Sequence, residues 1–213
     1  MELLRRGCPR CRQPVDATAE DGCSGHGAGP VLWRADVATY GAFVEHLAVA
    51  RDFPTYLPWP MAPGWAVSDF AVVTEPAGVP LATLTCVSGT SELDGPVDAL
   101  LVAEEPGVGL GARCAGLPGG DPGHEMGDQQ PVVRVRIGSL TTALWTVSTS
   151  RDDRAHELDR TVLAGEALGR WLWVVLRPAS AVLLMRDDWI LRDVVGGGPL
   201  MVEMPFTGSG PDW

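Results

Sequence analysis

The sequence predicts an α+β protein: a small N-terminal knuckle, one helix, then a predominantly antiparallel β-sheet domain. Three observations carry this reading. Residues 1–35 are polar and Gly-rich and hold two paired sets of Cys and His. Behind Asp36, one long stretch spaces its apolar residues with a helical period. Beyond Trp65, short apolar runs follow one another between Gly, Pro and Asp, without the regularly intervening helices of a parallel sheet. With 213 residues, 46% of them apolar, the chain can bury a sizeable core without disulfides. The expected divisions are 1–35 for the knuckle segment, 36–206 for the mainly-β domain and 207–213 for a loose tail.

Asp36 reads as the N-cap of the helix. Val37, Tyr40, Val44, Leu47 and Ala48 fall on one face, with Phe43 beside them, and Pro54 ends the helix by Asp52. Glu45 and His46 lie toward the polar side, and His46 receives no role. Phe53–Trp65 holds four prolines, which keep the backbone extended and deny it ladder hydrogen bonds. That stretch reads either as an aromatic-lined groove or as a stiff connection. The expectation is the connection, with Trp59 and Trp65 packed on the main domain.

The strands then follow in order. Trp65–Thr74 and Pro80–Ser88 flank Glu-Pro-Ala-Gly-Val as a hairpin, and in the second Ala82, Leu84 and Cys86 alternate with Thr83 and Thr85, the period of a half-buried strand. Asp98–Glu105 is next. Val133, Val135 and Ile137 alternate with Arg134 and Arg136, giving one apolar and one basic face. Ala143–Thr149 follows, and a short helix is expected around Arg154–Leu163. Trp171–Arg177, apolar on both faces, should be a central, covered strand. Ser180–Met185 and Trp189–Val194 around Arg186, Asp187 and Asp188 suggest another hairpin, and Met201–Phe206 a last edge strand.

Charge and composition exclude several functions. The net charge of −11 and a pI near 4.7 repel a phosphate backbone over most of the surface. Arg5, Arg6, Arg10 and Arg12 are a local exception, so any nucleic-acid contact belongs to that end. All 16 basic residues are Arg, which leaves no Schiff-base or phosphate-loop lysine. Apolar runs such as Trp171–Leu176 are too short to span a bilayer, and the N-terminus lacks an apolar signal region; the expected compartment is the cytoplasm. Five cysteines there argue for metal ligands or buried thiols. Cys86 reads as a core residue, and Cys114, beside Arg113, as an inert thiol.

Three of the five belong to one motif: Cys8-Pro9-Arg10-Cys11, eleven intervening residues, then Cys23-Ser24-Gly25-His26-Gly27. A Cys-x-x-Cys turn aims two thiolates at one ion, and a second two-residue turn completes a tetrahedron of three sulfurs and an imidazole. Pro9 pre-sets the first turn; Gly25 and Gly27 relieve the second. Cys8, Cys11, Cys23 and His26 therefore read as ligands of a structural Zn2+, saturated and without an open catalytic position.

Other polar groupings read more simply. Glu105-Pro-Gly-Val-Gly-Leu-Gly-Ala-Arg113 superficially resembles a phosphate-cradling loop, but the following Gly and Pro forbid a long helix. Arg113, Asp121 and His124, near Glu104 and Glu105, remain as a possible ligand loop over Gly107–Gly123. His124-Glu125 and His156-Glu157 lack the second His of a zincin. Asp152, Asp153, His156 and Glu157 read as a solvated acidic turn, and no serine-hydrolase elbow is present.

The Cys-Pro-Arg-Cys and Cys-Ser-Gly-His-Gly pair resembles a zinc ribbon. Leu57-Pro-Trp-Pro-Met, Pro63-Gly-Trp, Ala103-Glu-Glu-Pro-Gly-Val-Gly-Leu-Gly-Ala-Arg, Asp152-Asp-Arg-Ala and Gly165-Glu-Ala-Leu-Gly-Arg-Trp-Leu-Trp add to it. Together they resemble an actinobacterial family of uncharacterised proteins, a domain of unknown function. The resemblance implies an intracellular protein with a zinc-ribbon-like front end and no established activity. The expected function is a non-enzymatic binding or regulatory module that contacts another protein. An enzyme or small-ligand binder using the Gly107–Gly123 loop is the alternative, and nucleic-acid contact through the N-terminal arginines a weaker one.

Overall fold

Period-two alternation organises this chain, and among the described residues most of the regular secondary structure is strand. The computed structural model describes residues 3–11, 13–15, 22–123, 126, 130–147, 160–187, 189–197, 203–208 and 210–213. Its strands are β1 (Leu4–Gly7), β2 (Val31–Ala35), β3 (Tyr56–Pro58), β4 (Ala66–Thr74), β5 (Pro80–Ser91), β6 (Gly95–Glu104), β7 (Val133–Ile137), β8 (Leu140–Thr146), β9 (Thr161–Ala167), β10 (Arg170–Arg177) and β11 (Ile190–Asp193). Among the described residues they form one sheet in the order β1-β2-β4-β5-β6-β10-β9-β8-β7-β11-β3. Every pairing is antiparallel except β7 with β11. Two helices, α1 (Tyr40–Ala50) and α2 (Leu110–Ala115), and a 3-10 helix (Ala179–Asp187) lie against it. The architecture is α+β, dominated by antiparallel pairing.

The sheet carries a core on each face. Leu101, Leu172, Val174 and Leu176 belong to one cluster, which α1, β3 and the 3-10 helix cover. Leu84, Cys86, Leu100, Val102, Trp173 and Val175 belong to the other, which α2 and Trp213 cover. β10, between β6 and β9, is thus the covered central strand its composition predicts. β5 differs from its expected half-burial: Thr83 and Thr85 are buried as well. Their hydroxyls donate to the carbonyls of Pro54 and Tyr56, because the stretch leading into β3 crosses that face.

Several expected elements shift. Helix α1 starts at Tyr40, capped by the Thr39 hydroxyl, which accepts from the Ala42 N–H at 3.2 Å. Asp36 instead pairs with Arg5. The buried face holds Ala42, Phe43, His46 and Ala50, while Val37, Tyr40 and Val44 are exposed. His46, expected on the polar side, is fully buried, stacked on Phe43 and against Phe70. Ser180–Met185 coils into the 3-10 helix instead of pairing with β11, since Ala181 and Met185 both reach the core there. Thr161–Leu163 is strand; the rest of the helix expected at 154–163, with Asp152, Asp153, His156 and Glu157, lies outside the described residues. Of the expected edge strand at 201–206, Phe206 makes a parallel bridge to Val67, and 201–202 lie outside the described residues.

β1 and β2 pair with each other and β2 with β4, so the boundary at 35/36 falls inside one sheet's hydrogen bonding. Trp213, placed in a loose tail, is 3% exposed. No helix among the described residues is long and apolar enough to cross a membrane.

Candidate metal centre

The knuckle grows out of the β1–β2 connection. Beyond β1, Cys8 N–H donates to the Gln13 carbonyl at 3.0 Å, and Gly7 bridges Pro14, folding Cys8 and Cys11 to one side. Before β2, Cys23 and Gly27 exchange two backbone hydrogen bonds of 3.0 and 2.7 Å across Ser24-Gly25-His26. Gly22 makes that turn possible. Its φ is +68°, and a Cβ there would stand 2.4 Å from the Gly27 oxygen.

These two turns bring one ligand atom each from Cys8, Cys11, Cys23 and His26 within 4.8 Å of one another, close enough to hold a metal ion. The Cys11 and Cys23 sulfurs are 3.4 Å apart, and His26 Nδ1 is 3.6 Å from both Cys8 Sγ and Cys23 Sγ. Cys8 and Cys23 are buried, and His26 is exposed. Burial pushes the Cys8 thiol up to about 11. Hydrogen bonds from His26 and from the Gly25 backbone pull Cys23 down to about 6. Among the described residues the knuckle's own cluster is Cys8, Val15 and Cys23, with Cys11 packed against them.

Two arginines tie the knuckle to the sheet domain. Arg10 Nη2 donates to the Gly107 carbonyl at 2.9 Å, and Arg113 Nη1 donates to the Cys8 carbonyl at 2.6 Å. Arg113 also donates to the Trp213 carbonyl at 3.3 Å and lies 4.6 Å from that indole's centroid. The other side of this junction is Asp69, 4% exposed, which takes a bidentate contact from Arg34 (3.2 and 2.6 Å) and the indole N–H of Trp213 (2.6 Å). Burial still raises the Asp69 carboxyl above its ordinary range, against the pull of Arg34. Between the parts opens a cavity of about 360 Å³, with Arg5, Arg6, Cys8 and Cys11 on one side and Arg34, Asp69 and Arg113 on the other.

The groups of the proposed ligand loop therefore separate. Arg113 turns to the knuckle. Asp121 accepts from the Gly107 N–H at 2.8 Å, closing the loop on itself, and does not line the cavity. His124 lies outside the described residues, as do Glu125 and Arg12. Glu104 is fully buried at the start of α2, where it accepts from Leu110 N–H at 2.8 Å and Gly111 N–H at 3.2 Å. Burial pushes it up to about 7. Cys86 and Cys114 are fully buried, and burial raises both thiols, Cys86 to about 12, which makes them poor nucleophiles. Sequence reasoning missed Arg34, Asp69 and Trp213. The one available signal was a lone Trp in a polar, Gly-rich tail.

No curated protein and no solved structure matches this sequence. Residues 4–212, which span the knuckle and the whole sheet, match the profile of a family of unknown function, DUF6758, and the chain belongs to that family.

Proposed function

We propose that this protein is a zinc-stabilised, non-catalytic binding module of the cytoplasm, whose knuckle and sheet together contact another protein. The convergence of Cys8, Cys11, Cys23 and His26 supports the reading. A zinc tetrahedron with Zn–S of about 2.3 Å and Zn–N of about 2.0–2.1 Å has S–S edges of about 3.8 Å and S–N edges of about 3.6 Å. Three of the six separations, at 3.4, 3.6 and 3.6 Å, lie near those edges, and all lie within 4.8 Å. Four protein ligands leave the ion no open position, so its work is architectural. It joins the two turns, adds to the small cluster of Cys8, Val15 and Cys23, and fixes Cys8 and Cys11 on one wall of the cavity. At the basic end Arg10 donates to the Gly107 and Val108 carbonyls and Arg5 pairs with Asp36, which favours a protein over a nucleic acid as the partner.

The test combines metal analysis with affinity capture. Purified protein should hold one zinc per chain, and Cys8→Ser and Cys23→Ser should each lose it. A partner retained by the wild type and lost from both variants is the expected result. Absence of stoichiometric zinc, or a partner set indifferent to both substitutions, refutes the reading.

A second reading rests on Arg113 and Arg34 lining one cavity: a small-anion site at the knuckle–sheet junction. Titration with inorganic phosphate should then show binding that Arg113→Met weakens at least about tenfold; no such loss rejects it.

A further inference from the structure

Far from the knuckle, the Pro-rich stretch does more than connect. Trp59, Met61, Trp65 and Trp189 pack against the core, and the same four side chains line a cavity of about 600 Å³. That volume lies within the usual range of small-molecule sites. Its walls are preformed. Trp59 N–H donates to the Ile190 carbonyl at 2.8 Å, and Trp65 N–H to the Ala62 carbonyl at 3.1 Å. The Trp65 ring lies flat on Gly89, where an added Cβ would stand 2.5 Å from the indole.

The electrostatics of the lining have one sign. Indole faces are the most electronegative of the aromatic side chains. Trp59 already faces one cation, with the Arg192 guanidinium 5.1 Å from its centroid, although Arg192 is not part of the lining. Among the described residues, Glu92 is the single ionisable side chain that lines the cavity. Three indoles and one carboxylate, on a chain of net charge −11, complement a positive charge set in an apolar body. We infer that this cavity binds a small organic cation, a quaternary or protonated amine that carries an apolar group. The ammonium lies against the indoles beside Glu92, and the apolar part lies along Met61 and Trp189.

Isothermal titration of the full chain with benzyltrimethylammonium, against its neutral carbon isostere neopentylbenzene, tests the inference. The cation should bind at least about tenfold more tightly than the isostere, the cation–π and carboxylate contributions acting together. Glu92→Gln, at an exposed position, should weaken the cation about threefold to tenfold and leave the isostere unchanged. Trp65→Phe keeps a ring in place and should weaken the cation by about threefold. Equal or tighter binding of the isostere, no binding of the cation, or a cation affinity indifferent to Glu92→Gln would each overturn the inference. The knuckle plays no part in this cavity, so the outcome is independent of zinc.

Discussion

His46 and Glu104 are ionisable side chains with no exposed surface, and burial moves them in opposite directions. His46 is held down at about 3 against an ordinary 6.5, and neither ring nitrogen has a hydrogen-bond partner among the described residues. Its unfolded form takes up a proton first, so its contribution to stability falls as pH drops from 6.5 toward 3. Glu104 is pushed up to about 7 from 4.5; its unfolded form ionises first, so its contribution falls as pH rises from 4.5 toward 7. Each slope approaches about 1.4 kcal/mol per pH unit, and between pH 4.5 and 6.5 they oppose each other. Urea unfolding across that window should show His46→Leu declining with pH relative to the wild type. Glu104→Gln should climb relative to it, its amide oxygen still serving the Leu110 and Gly111 N–H groups. Profiles parallel to the wild type would contradict the assignment. None of this was legible in the sequence, because a His and a Glu on polar-looking positions reveal nothing about what packs over them.

Among the elements, strands announced themselves where alternation was strict. β7 shows the expected apolar and exposed faces, and β10 reads as central because no polar residue interrupts Trp171–Leu176. Helical segments were harder to read. The α1 stretch is apolar on more than one side, so spacing alone chose Val37, Tyr40 and Val44 with Phe43 beside them, where packing chose Phe43 together with Ala42, His46 and Ala50. Ser180–Met185 is too short for its period to separate strand from helix. Strand contacts also have hidden requirements. Gly165 in β9 faces the Ala143 carbonyl of β8 so closely that a Cβ would stand 2.1 Å from the oxygen, and a backbone atom cannot rotate aside. Gly165→Ala should cost about 3 kcal/mol by chemical denaturation, through parting of β8 and β9. Gly208→Ala, with open space around it, should change stability by less than about 0.5 kcal/mol.

Across the whole molecule, Trp213 joins parts that lie far apart in sequence. Its indole donates to buried Asp69 and lies against both Arg34 and Arg113, at 4.3 and 4.6 Å from the ring centroid. Trp213→Ala should destabilise the protein by about 3–5 kcal/mol, through the lost burial and the unpaired hydrogen-bonding capacity left on Asp69. Because Arg113 also holds the Cys8 carbonyl, the same variant, once loaded with zinc, should give the metal up to a competing chelator faster than zinc-loaded wild type. Unchanged stability together with an unchanged rate of metal loss would show that the junction is not coupled. By itself the sequence determined the four candidate ligands, the predominance of strands and the acidic character, since each depends on residue type and short spacing. Tertiary structure alone decided that the knuckle's strands continue the main sheet, that Thr83, Thr85 and His46 are covered, and that Arg113 serves the knuckle rather than its own loop. The reason is physical: a ligand pair or an alternating strand is specified within a few residues, whereas burial and long-range pairing depend on segments up to about 200 positions away, such as Cys8 and Trp213 meeting at Arg113.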